Sequence, residues 1–248
     1  FIVVGTPSGV SLASEGGAHQ SQITPSIGME IADLVFFEPC FGQELEWILL
    51  AALEQLRVRG RSTYIRLTSK RVDQSLLTVP TDINARDKMR RQVLEGAYTL
   101  IDRSREPDYR PGENVVHLMS SGAMIPEVIK ASKELLQEGV LTNVVNITGA
   151  GPLYRRYQQW VDQAMNCGAP VEKFMSDVIP LDDSHAPVVT VVDGHSHSLA
   201  WIGSALKTAT LPLGVTEFGQ SGTITDLYKE YKIDKDSIIT ACFAALEI

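Results

Sequence analysis

The stretch FIVVGTPSGVSLASEGGAHQ, residues 1–20, joins a run of β-branched residues to a glycine-rich loop. The run FIVV predicts a buried strand. A helical pattern follows from Phe41 and ends at Gly60, and STYIRLTS, residues 62–69, predicts the next strand. Strand, loop, helix and strand in this order indicate a parallel α/β unit over residues 1–69.

A second α/β series follows a polar segment. The segment SREPDYRPGEN, residues 104–114, contains two prolines and a glycine and predicts a domain boundary. A helix is expected before it, over residues 84–102. After it, strands are predicted at VVHLMS, NVVNIT, PVVTVVD and PLGVTEF, with helical patterns between them. This alternation predicts a mainly parallel sheet that helices cover on both faces.

Composition and charge limit the functional class. The 248 residues carry a net charge of −8 and no long run of Lys or Arg, which argues against nucleic-acid binding. No apolar run approaches the roughly 20 residues that a bilayer requires, so we expect no membrane association and a cytoplasmic location. Three scattered cysteines, Cys40, Cys167 and Cys242, indicate a reducing compartment. Phe1 already lies inside an apolar run, so we expect the sequence to be a piece of a longer protein.

The first polar constellation is in the glycine-rich loop. Glu15 precedes His19 by four residues, and Gly16 and Gly17 lie between them. A ligand site is one interpretation, because glycines allow close backbone approach and a histidine exchanges protons near neutral pH. A glycine turn with no ligand is the other, and residue types alone favour it.

His195 and His197 form a second polar pair. Zinc needs three or four ligands, and although Asp193 and His185 are close in sequence, no HExxH or CxxC motif supports them. A loop without metal is therefore favoured, and an extended backbone would place the two histidines on opposite sides. No GxSxG elbow and no GxxxxGK[ST] loop is found in the sequence.

Five motifs share one resemblance that spans nearly the full chain: EGGAHQ, FEPCFGQELEWIL, YIRLTS, VVNIT and LGVTEFGQSGTITDLYKEYKID. They resemble the C-terminal part of thiamine-diphosphate enzymes of the transketolase superfamily. The loop reads D-G-P-T-H-Q in transketolases and D-G-H-S-H in homodimeric pyruvate dehydrogenases. The chain looks most similar to the homodimeric decarboxylating first component of the bacterial pyruvate dehydrogenase complex.

The resemblance implies a fold and an activity. The fold class is α/β, with part of a pyrimidine-binding α/β domain at 1–75, a helical linker at 76–112 and a transketolase C-terminal-like domain with a mainly parallel sheet at 113–248. The implied activity of the intact parent is that of a 2-oxo acid dehydrogenase, an oxidoreductase that decarboxylates pyruvate and transfers the acyl unit to a lipoyl group. A transketolase, which moves two-carbon ketol units between phosphosugars, is the alternative, and a non-catalytic dimerisation or docking fragment is another.

The resemblance also assigns site residues. His19 and Glu15 become catalytic candidates that meet the substrate and its covalent adduct, although the family has Asp at position 15. Gln20 and Ser69 become substrate-binding candidates. Transketolases place an arginine where Ser69 aligns, which favours a small 2-oxo acid over a phosphosugar.

Cofactors and partners follow from the same resemblance. Thiamine diphosphate and Mg²⁺ are expected in the intact enzyme and none in this chain alone, because the G-D-G…N motif and the activating glutamate have no match here and should lie upstream of Phe1. No metal ligands are assigned. The expected partners are a second copy in a homodimer and a lipoyl acyltransferase component. Apolar groups expected at the dimer surface are Phe36, Phe37, Phe41, Trp47, Leu199 and Trp201.

Overall fold

A computed structural model describes most of the chain: residues 1–6, 8–166, 173–180, 183 and 186–248. Cys167 and His185 lie outside the described residues. The described strands are β1 (Ile2–Gly5), β2 (Leu34–Phe37), β3 (Ser62–Arg66), β4 (Tyr98–Ile101), β5 (Val115–Ser120), β6 (Leu141–Asn146), β7 (Val188–Val191) and β8 (Thr210–Leu213).

The described α-helices alternate with these strands. They are α1 (Thr24–Glu30), α2 (Gly42–Arg59), α3 (Ile83–Glu95), α4 (Ile125–Gln137), α5 (Ala150–Asn166), α6 (His197–Leu206), α7 (Ile224–Glu230) and α8 (Lys235–Leu246). Short 3₁₀ turns lie at Val10–Glu15, Gly17–His19, Gln74–Leu76 and Gly122–Met124. No helix in the described part of the chain is long and apolar enough to cross a bilayer.

The first sheet has three parallel strands in the order β1-β3-β2. β3 is central because Thr63 and Ile65 are flanked in register by residues of both neighbours. The FIVV run does form β1, but the expected burial is wrong. Val3 and Val4 are 43% and 54% exposed, because β1 is an edge strand and pairs only with β3 among the described residues.

The second sheet has five strands in the order β4-β6-β5-β7-β8. β4 is antiparallel to β6, and the other pairs are parallel. Successive side chains enter opposite cores: Leu118 packs with α4 and α8 on one face, and Met119 packs with α5 and α6 on the other. The predicted α/β class with mainly parallel sheets is confirmed.

The helix expected at 84–102 is too long. α3 ends at Glu95 because Gly96 adopts a left-handed conformation (φ 106°), and the chain then continues as β4. β4 pairs with β6 through Tyr98↔Asn146, so it belongs to the second sheet. The range 76–112 therefore contains a strand as well as a helix.

The polar segment at 104–114 connects two strands of the same sheet, β4 and β5, instead of separating two sheets. The last predicted strand, PLGVTEF, is also displaced. β8 covers Thr210–Leu213, and the chain leaves the sheet at Gly214, after which the Val215 N–H donates to the Gly194 carbonyl (2.8 Å). Domain boundaries at 75/76 and 112/113 stay a prediction.

Glu44 connects the two sheets through buried hydrogen bonds. Its Oε2 accepts from the backbone N–H groups of Cys40 (2.8 Å) and Phe41 (3.0 Å), which satisfies the start of α2. Its Oε1 accepts from the Tyr98 hydroxyl (2.5 Å) and the Asn146 amide (2.6 Å) of the second sheet. Burial raises the pKa of Glu44, against the hydrogen bonds that favour its ionised form.

Gly96 and Gly139 differ in the space around them, and the difference tests how tightly α3 packs against α5. A Cβ at Gly96 would meet the Gly149 carbonyl oxygen and lie 2.9 Å from the Leu153 nitrogen. Gly139 is also left-handed (φ 80°), but nothing among the described residues lies within 4 Å of its Cβ position. Gly139→Ala should cost about 1 kcal/mol of unfolding free energy, the strain of a left-handed alanine.

Gly96→Ala should cost at least about 2 kcal/mol more, because the overpacked backbone must also move. Urea unfolding of the two variants measures both values. Equal losses would contradict the packing described between α3 and α5.

Candidate functional site

Asp193 follows β7 and holds the loop that follows β1. Its carboxylate accepts hydrogen bonds from the backbone N–H of Val10 (2.7 Å), the backbone N–H of Ser11 (3.1 Å) and the Ser8 hydroxyl (3.1 Å). The side chain is buried, so its charge is balanced by these donors instead of water. This contact joins the carboxyl ends of a strand from each sheet, which is where parallel α/β sheets place their ligand sites.

Arg66, at the end of β3, is the second anchor. One terminal nitrogen, Nη1, pairs with Glu38 (2.5 Å), and the other, Nη2, donates to the backbone carbonyls of Ser21 and Asp193 (2.8 Å each). Arg66 and Glu38 are both almost fully buried. Burial raises the pKa of Glu38, and the Arg66 charge opposes that rise. The guanidinium therefore fixes the start of the segment after the glycine-rich loop.

The glycine-rich loop rests on the segment Glu217–Ser221. A Cβ at Gly17 would overlap the Gly219 carbonyl and the Phe218 ring, so only glycine permits this approach. The Gln20 amide donates to the Ala13 carbonyl (2.9 Å) within the loop and to the Gln220 carbonyl (2.8 Å) across it. Two sequence motifs about 200 residues apart are thus packed against each other.

The predicted site residues divide into two groups. Glu15, His19 and Ser69 are exposed, whereas Gln20 is buried. Among the described residues, no hydrogen bond reaches the side chain of Glu15 or His19, so Glu15 does not orient the imidazole. The His19 backbone N–H donates to the Gly16 carbonyl (3.1 Å), which fixes the turn on which the imidazole stands. The loop thus presents two polar side chains outward from a rigid support.

A partly buried lysine, Lys70, supports the loop from the other side. Lys70 Nζ donates to the Tyr228 hydroxyl (3.1 Å) and the Ala123 carbonyl (3.3 Å), and lies 3.7 Å from the Glu127 carboxylate. The Tyr228 hydroxyl is 2.6 Å from the Ser11 hydroxyl, beside the Asp193 contacts. Burial lowers the pKa of Lys70, although Glu127 opposes the shift.

Sequence reasoning missed Glu38, Arg66 and Asp193 as a cluster. Each stands at or just after the end of a strand, in β2, β3 and β7 respectively. A charged residue at that point of an otherwise apolar strand is a usable signal, because parallel strand ends meet at one edge. The relative position of the two sheets brings the three residues together, and the sequence pattern does not predict it.

The two histidines do not lie on opposite sides, as an extended backbone would place them. The segment turns into α6, and the Nδ1 atoms of His195 and His197 are 2.6 Å apart. Within the described ranges, no group of three or more His, Cys, Asp or Glu side chains is arranged to hold a metal ion. Cys40 and Cys242 are buried free thiols.

One family model matches the chain. A family model described as the transketolase-like TK C-terminal domain matches residues 96–234, more than half of the chain. Transketolase 1 of Candida albicans is 26% identical over 237 residues, covering 96% of this chain and 28% of that protein. The chain thus spans little more than a quarter of that relative.

Solved structures are similar in fold. A transketolase mutant from Pichia stipitis has a TM-score of 0.70 at 16% identity, over 99% of this chain and 30% of the other. The Leishmania mexicana transketolase has a TM-score of 0.67 at 18% identity, over 99% and 30%. A split-gene transketolase, described as an inactive beta4 tetramer, has a TM-score of 0.59 at 18% identity, over 99% and 67%. These identities support the fold alone.

Removing the Asp193 charge tests how strongly this side chain holds the loop after β1. Asp193→Asn keeps the shape but replaces one acceptor oxygen with a donor amide that faces N–H groups. We expect a loss of about 3 kcal/mol in unfolding free energy, the scale of breaking a buried charge-assisted network. Hydrogen exchange at the Val10 and Ser11 amides should accelerate.

Asp73→Asn is the matched control for that change. Asp73 also accepts from a backbone N–H, that of Ser75 (2.9 Å), but it is exposed, so its replacement should change stability little. Equal losses of unfolding free energy in the two variants would show that burial does not strengthen the contacts of Asp193.

Proposed function

Because the chain belongs to the transketolase-like TK C-terminal domain family, we propose that it is the C-terminal part of a thiamine-diphosphate-dependent enzyme that transfers two-carbon ketol units between phosphosugars. The observation that carries the proposal is the glycine-rich loop, seated on Glu217–Ser221 with His19 and Glu15 exposed. The long match to a named transketolase favours this reading over pyruvate oxidation.

The chemistry of the loop fits substrate handling. An exposed histidine on a fixed turn can exchange a proton with a substrate hydroxyl or carbonyl. A carboxylate four residues earlier can accept a hydrogen bond from a sugar hydroxyl. Both N–H bonds of the Gln20 amide are used by backbone carbonyls, so we expect Gln20 to position the loop. Ser69 is exposed after β3 and remains a substrate-binding candidate.

We infer that cofactor binding needs residues beyond those described. Thiamine diphosphate supplies the stabilised carbanion of such reactions when bound. The described part of the chain offers no acidic cluster for the Mg²⁺ that accompanies the diphosphate. We therefore propose that a further part of a longer protein holds the diphosphate and the metal. That this chain alone binds no cofactor stays a prediction.

A 2-oxo acid is the second candidate substrate, and one observation favours it. Phosphosugars need cations that grip a dianion. Arg66 is buried and Lys70 is partly buried, and both are already engaged by protein groups, the first by Glu38 and the second by Tyr228 and Ala123. A lipoyl acyltransferase partner belongs to this second candidate only. A cytoplasmic location stays a prediction for either.

Steady-state kinetics of the full-length protein separate the two substrates. We expect kcat/KM for xylulose 5-phosphate with an aldose phosphate acceptor to exceed that for pyruvate by at least about 10²-fold, the scale on which a site built for polar groups discriminates. A preference for pyruvate would transfer the assignment to the 2-oxo acid dehydrogenases.

His19 is the most direct test of the loop. In the full-length protein, His19→Ala should lower kcat/KM by about 10²-fold or more, because the variant loses a proton-transfer or positioning group. The melting temperature should change little, since the imidazole is exposed.

His197→Ala is the control, because His197 is exposed near Asp193 but outside the loop. It should cost much less activity. Equal effects at the two positions would show that the loop is misassigned. Full activity of His19→Ala would instead favour the non-catalytic association role.

We also propose a homodimer, through a different surface from the one expected. Phe36, Phe37, Phe41, Trp47 and Leu199 are buried in the chain's own cores, and Trp201 is half-buried in an aromatic cluster with Tyr154 and Tyr157. Leu49, Leu50 and Leu53 are among the exposed apolar residues instead, and they lie next to one another on α2. A second copy would cover this surface, since exposed apolar patches mark association sites and twofold dimers are the commonest solution.

Light scattering of the chain at micromolar concentration tests the dimer. We expect a mass near twice 27.2 kDa, and a monomer mass for Leu50→Lys combined with Leu53→Lys, because two charges would be buried without partners. Leu136→Lys, at an exposed apolar position on α4, should leave the mass unchanged. A monomer mass for the unmodified chain would show that this surface is not sufficient for dimerisation.

A further inference from the structure

A cavity of about 340 Å³ lies at the end of the second sheet away from the glycine-rich loop. It is bounded by His117 of β5, by Ala186 before β7 and by Thr208 before β8. Asp193 follows the other end of β7, about 20 Å away at the rise of an extended chain. The cavity is therefore separate from the site of the proposed ketol transfer, and its volume is within the range of small-molecule sites.

Most of the wall is apolar and aromatic. Trp160, Phe174, Ile179 and Leu206 all contribute to it. The Phe174 ring lies 5.3 Å from the Tyr157 ring, which in turn stacks with Trp160 (6.1 Å), so the aromatic side chains are fixed by one another. A wall of this kind suits a planar ring.

A neutral N–H donor stands at the buried end of this wall. His117 is 1% exposed, and its Nε2 has no hydrogen-bond partner among the described residues. Its Nδ1 is 3.5 Å from the amide nitrogen of Asn143, which can only donate, and its Nε2 is 3.5 Å from the Asp183 carboxylate, so both weak contacts favour the tautomer with the ring proton on Nε2. Burial lowers the pKa of His117 to about 4, which keeps the imidazole neutral near pH 7.

A carboxylate already occupies the space beside His117. Asp183 Oδ2 lies 3.5 Å from Nε2, too far for a good hydrogen bond, and it accepts from the Tyr109 hydroxyl and from Asn143 (3.3 Å). A ligand anion would be repelled at this end. A neutral acceptor, such as a phenolic oxygen, suits the Nε2–H, because a donor left unpaired in a buried site is costly.

The exposed end of the wall carries positive charge. Lys207 ends α6 in the left-handed conformation (φ 58°) and is exposed, and Lys173 also lines the cavity. A ligand carboxylate would be attracted here. The cavity is thus lined by a buried neutral donor, by aromatic side chains and by an exposed cation.

From this arrangement we propose that the cavity binds a small aromatic carboxylate with a hydrogen-bond acceptor on its ring. The ring lies among Trp160, Phe174 and Leu206, the ring acceptor faces His117, and the carboxylate pairs with Lys207. The site is an additional, non-catalytic one. It lies on this chain alone, so its test does not depend on the proposed function.

The probe is 3-(4-hydroxyphenyl)propionate, titrated into the purified chain by calorimetry and followed by tryptophan fluorescence, to which Trp160 in the cavity wall contributes. A ligand of this size in a well-formed site should bind with a dissociation constant of about 0.1–1 mM. Two analogues resolve the contacts. The neutral propionamide, which lacks the charge, and 3-phenylpropionate, which lacks the ring acceptor, should each bind at least about fivefold more weakly. No saturable binding of the probe would overturn the proposal.

Lys207→Gln has a matched control in Lys232→Gln. Lys232 is likewise exposed and left-handed (φ 55°), but it does not line the cavity. We expect Lys207→Gln to weaken probe binding by about fivefold and to abolish the preference for the acid over the amide, with Lys232→Gln unchanged. Equal weakening in both variants would mean general charge attraction and would overturn the proposal.

His117→Phe tests the buried end. In this variant the probe and 3-phenylpropionate should bind with equal affinity, because the donor to the ring oxygen is gone. If the variant does not fold, the preference for the probe over 3-phenylpropionate in the unmodified chain decides the point. A preference that persists in folded His117→Phe, or that is missing from the unmodified chain, would overturn the assignment of His117.

Discussion

The buried guanidinium of Arg66 holds three separate parts of the chain, through Glu38 after β2, the Ser21 carbonyl after the glycine-rich loop and the Asp193 carbonyl after β7. A charge that is removed from water needs opposite charge and hydrogen-bond acceptors around it, or the fold loses several kcal/mol. The three contacts supply these to the two terminal nitrogens, while Nε has no partner among the described residues. The same requirement applies to the Asp193 carboxylate, which the first turn of the loop satisfies. Each ion fixes the backbone that the other needs, so the two sheets meet in one relative position.

That position determines what the exposed loop can do. Gly17 approaches Gly219 so closely that a side chain would not fit, and the Gln20 amide joins the two backbones. The loop is therefore supported from below by main-chain contacts, while its own catalytic candidates face outward. A site built in this way keeps its functional side chains out of the stabilising network. His19 and Glu15 make no side-chain hydrogen bonds among the described residues, whereas the Asp193 carboxylate accepts three.

The sequence was sufficient to predict the fold class and the position of the glycine-rich loop after β1. It was insufficient to predict the contacts between distant segments. Alternating strands and helices, together with Gly-terminated helices, predicted the parallel α/β architecture. β2 was missed because LVFF reads equally well as an exposed apolar patch, and β4 was missed because its residues continue the helical period of α3 beyond Gly96. Arg66 and Glu38 look like ordinary charged residues until the sheet brings their strands side by side. A local sequence pattern indicates the hydrophobic period and the secondary-structure propensity of a segment. The hydrogen bond between Ser8 and Asp193 depends instead on the tertiary arrangement.

The contacts of Asp193 and Gln20 join segments that are far apart in the sequence, and this separation constrains when they can form. Val10 and Asp193 are 183 residues apart, and Gln20 reaches a carbonyl 200 residues further along. Closing so long a loop costs entropy before any contact repays it, and nonlocal parallel pairing folds slowly. During synthesis, the glycine-rich loop must therefore wait, unanchored, until the segment around residue 220 has left the ribosome. Residues 8–20 are thus made well before they reach their final positions, and translation speed over the stretch up to residue 220 sets how long they stay open to proteases and chaperones.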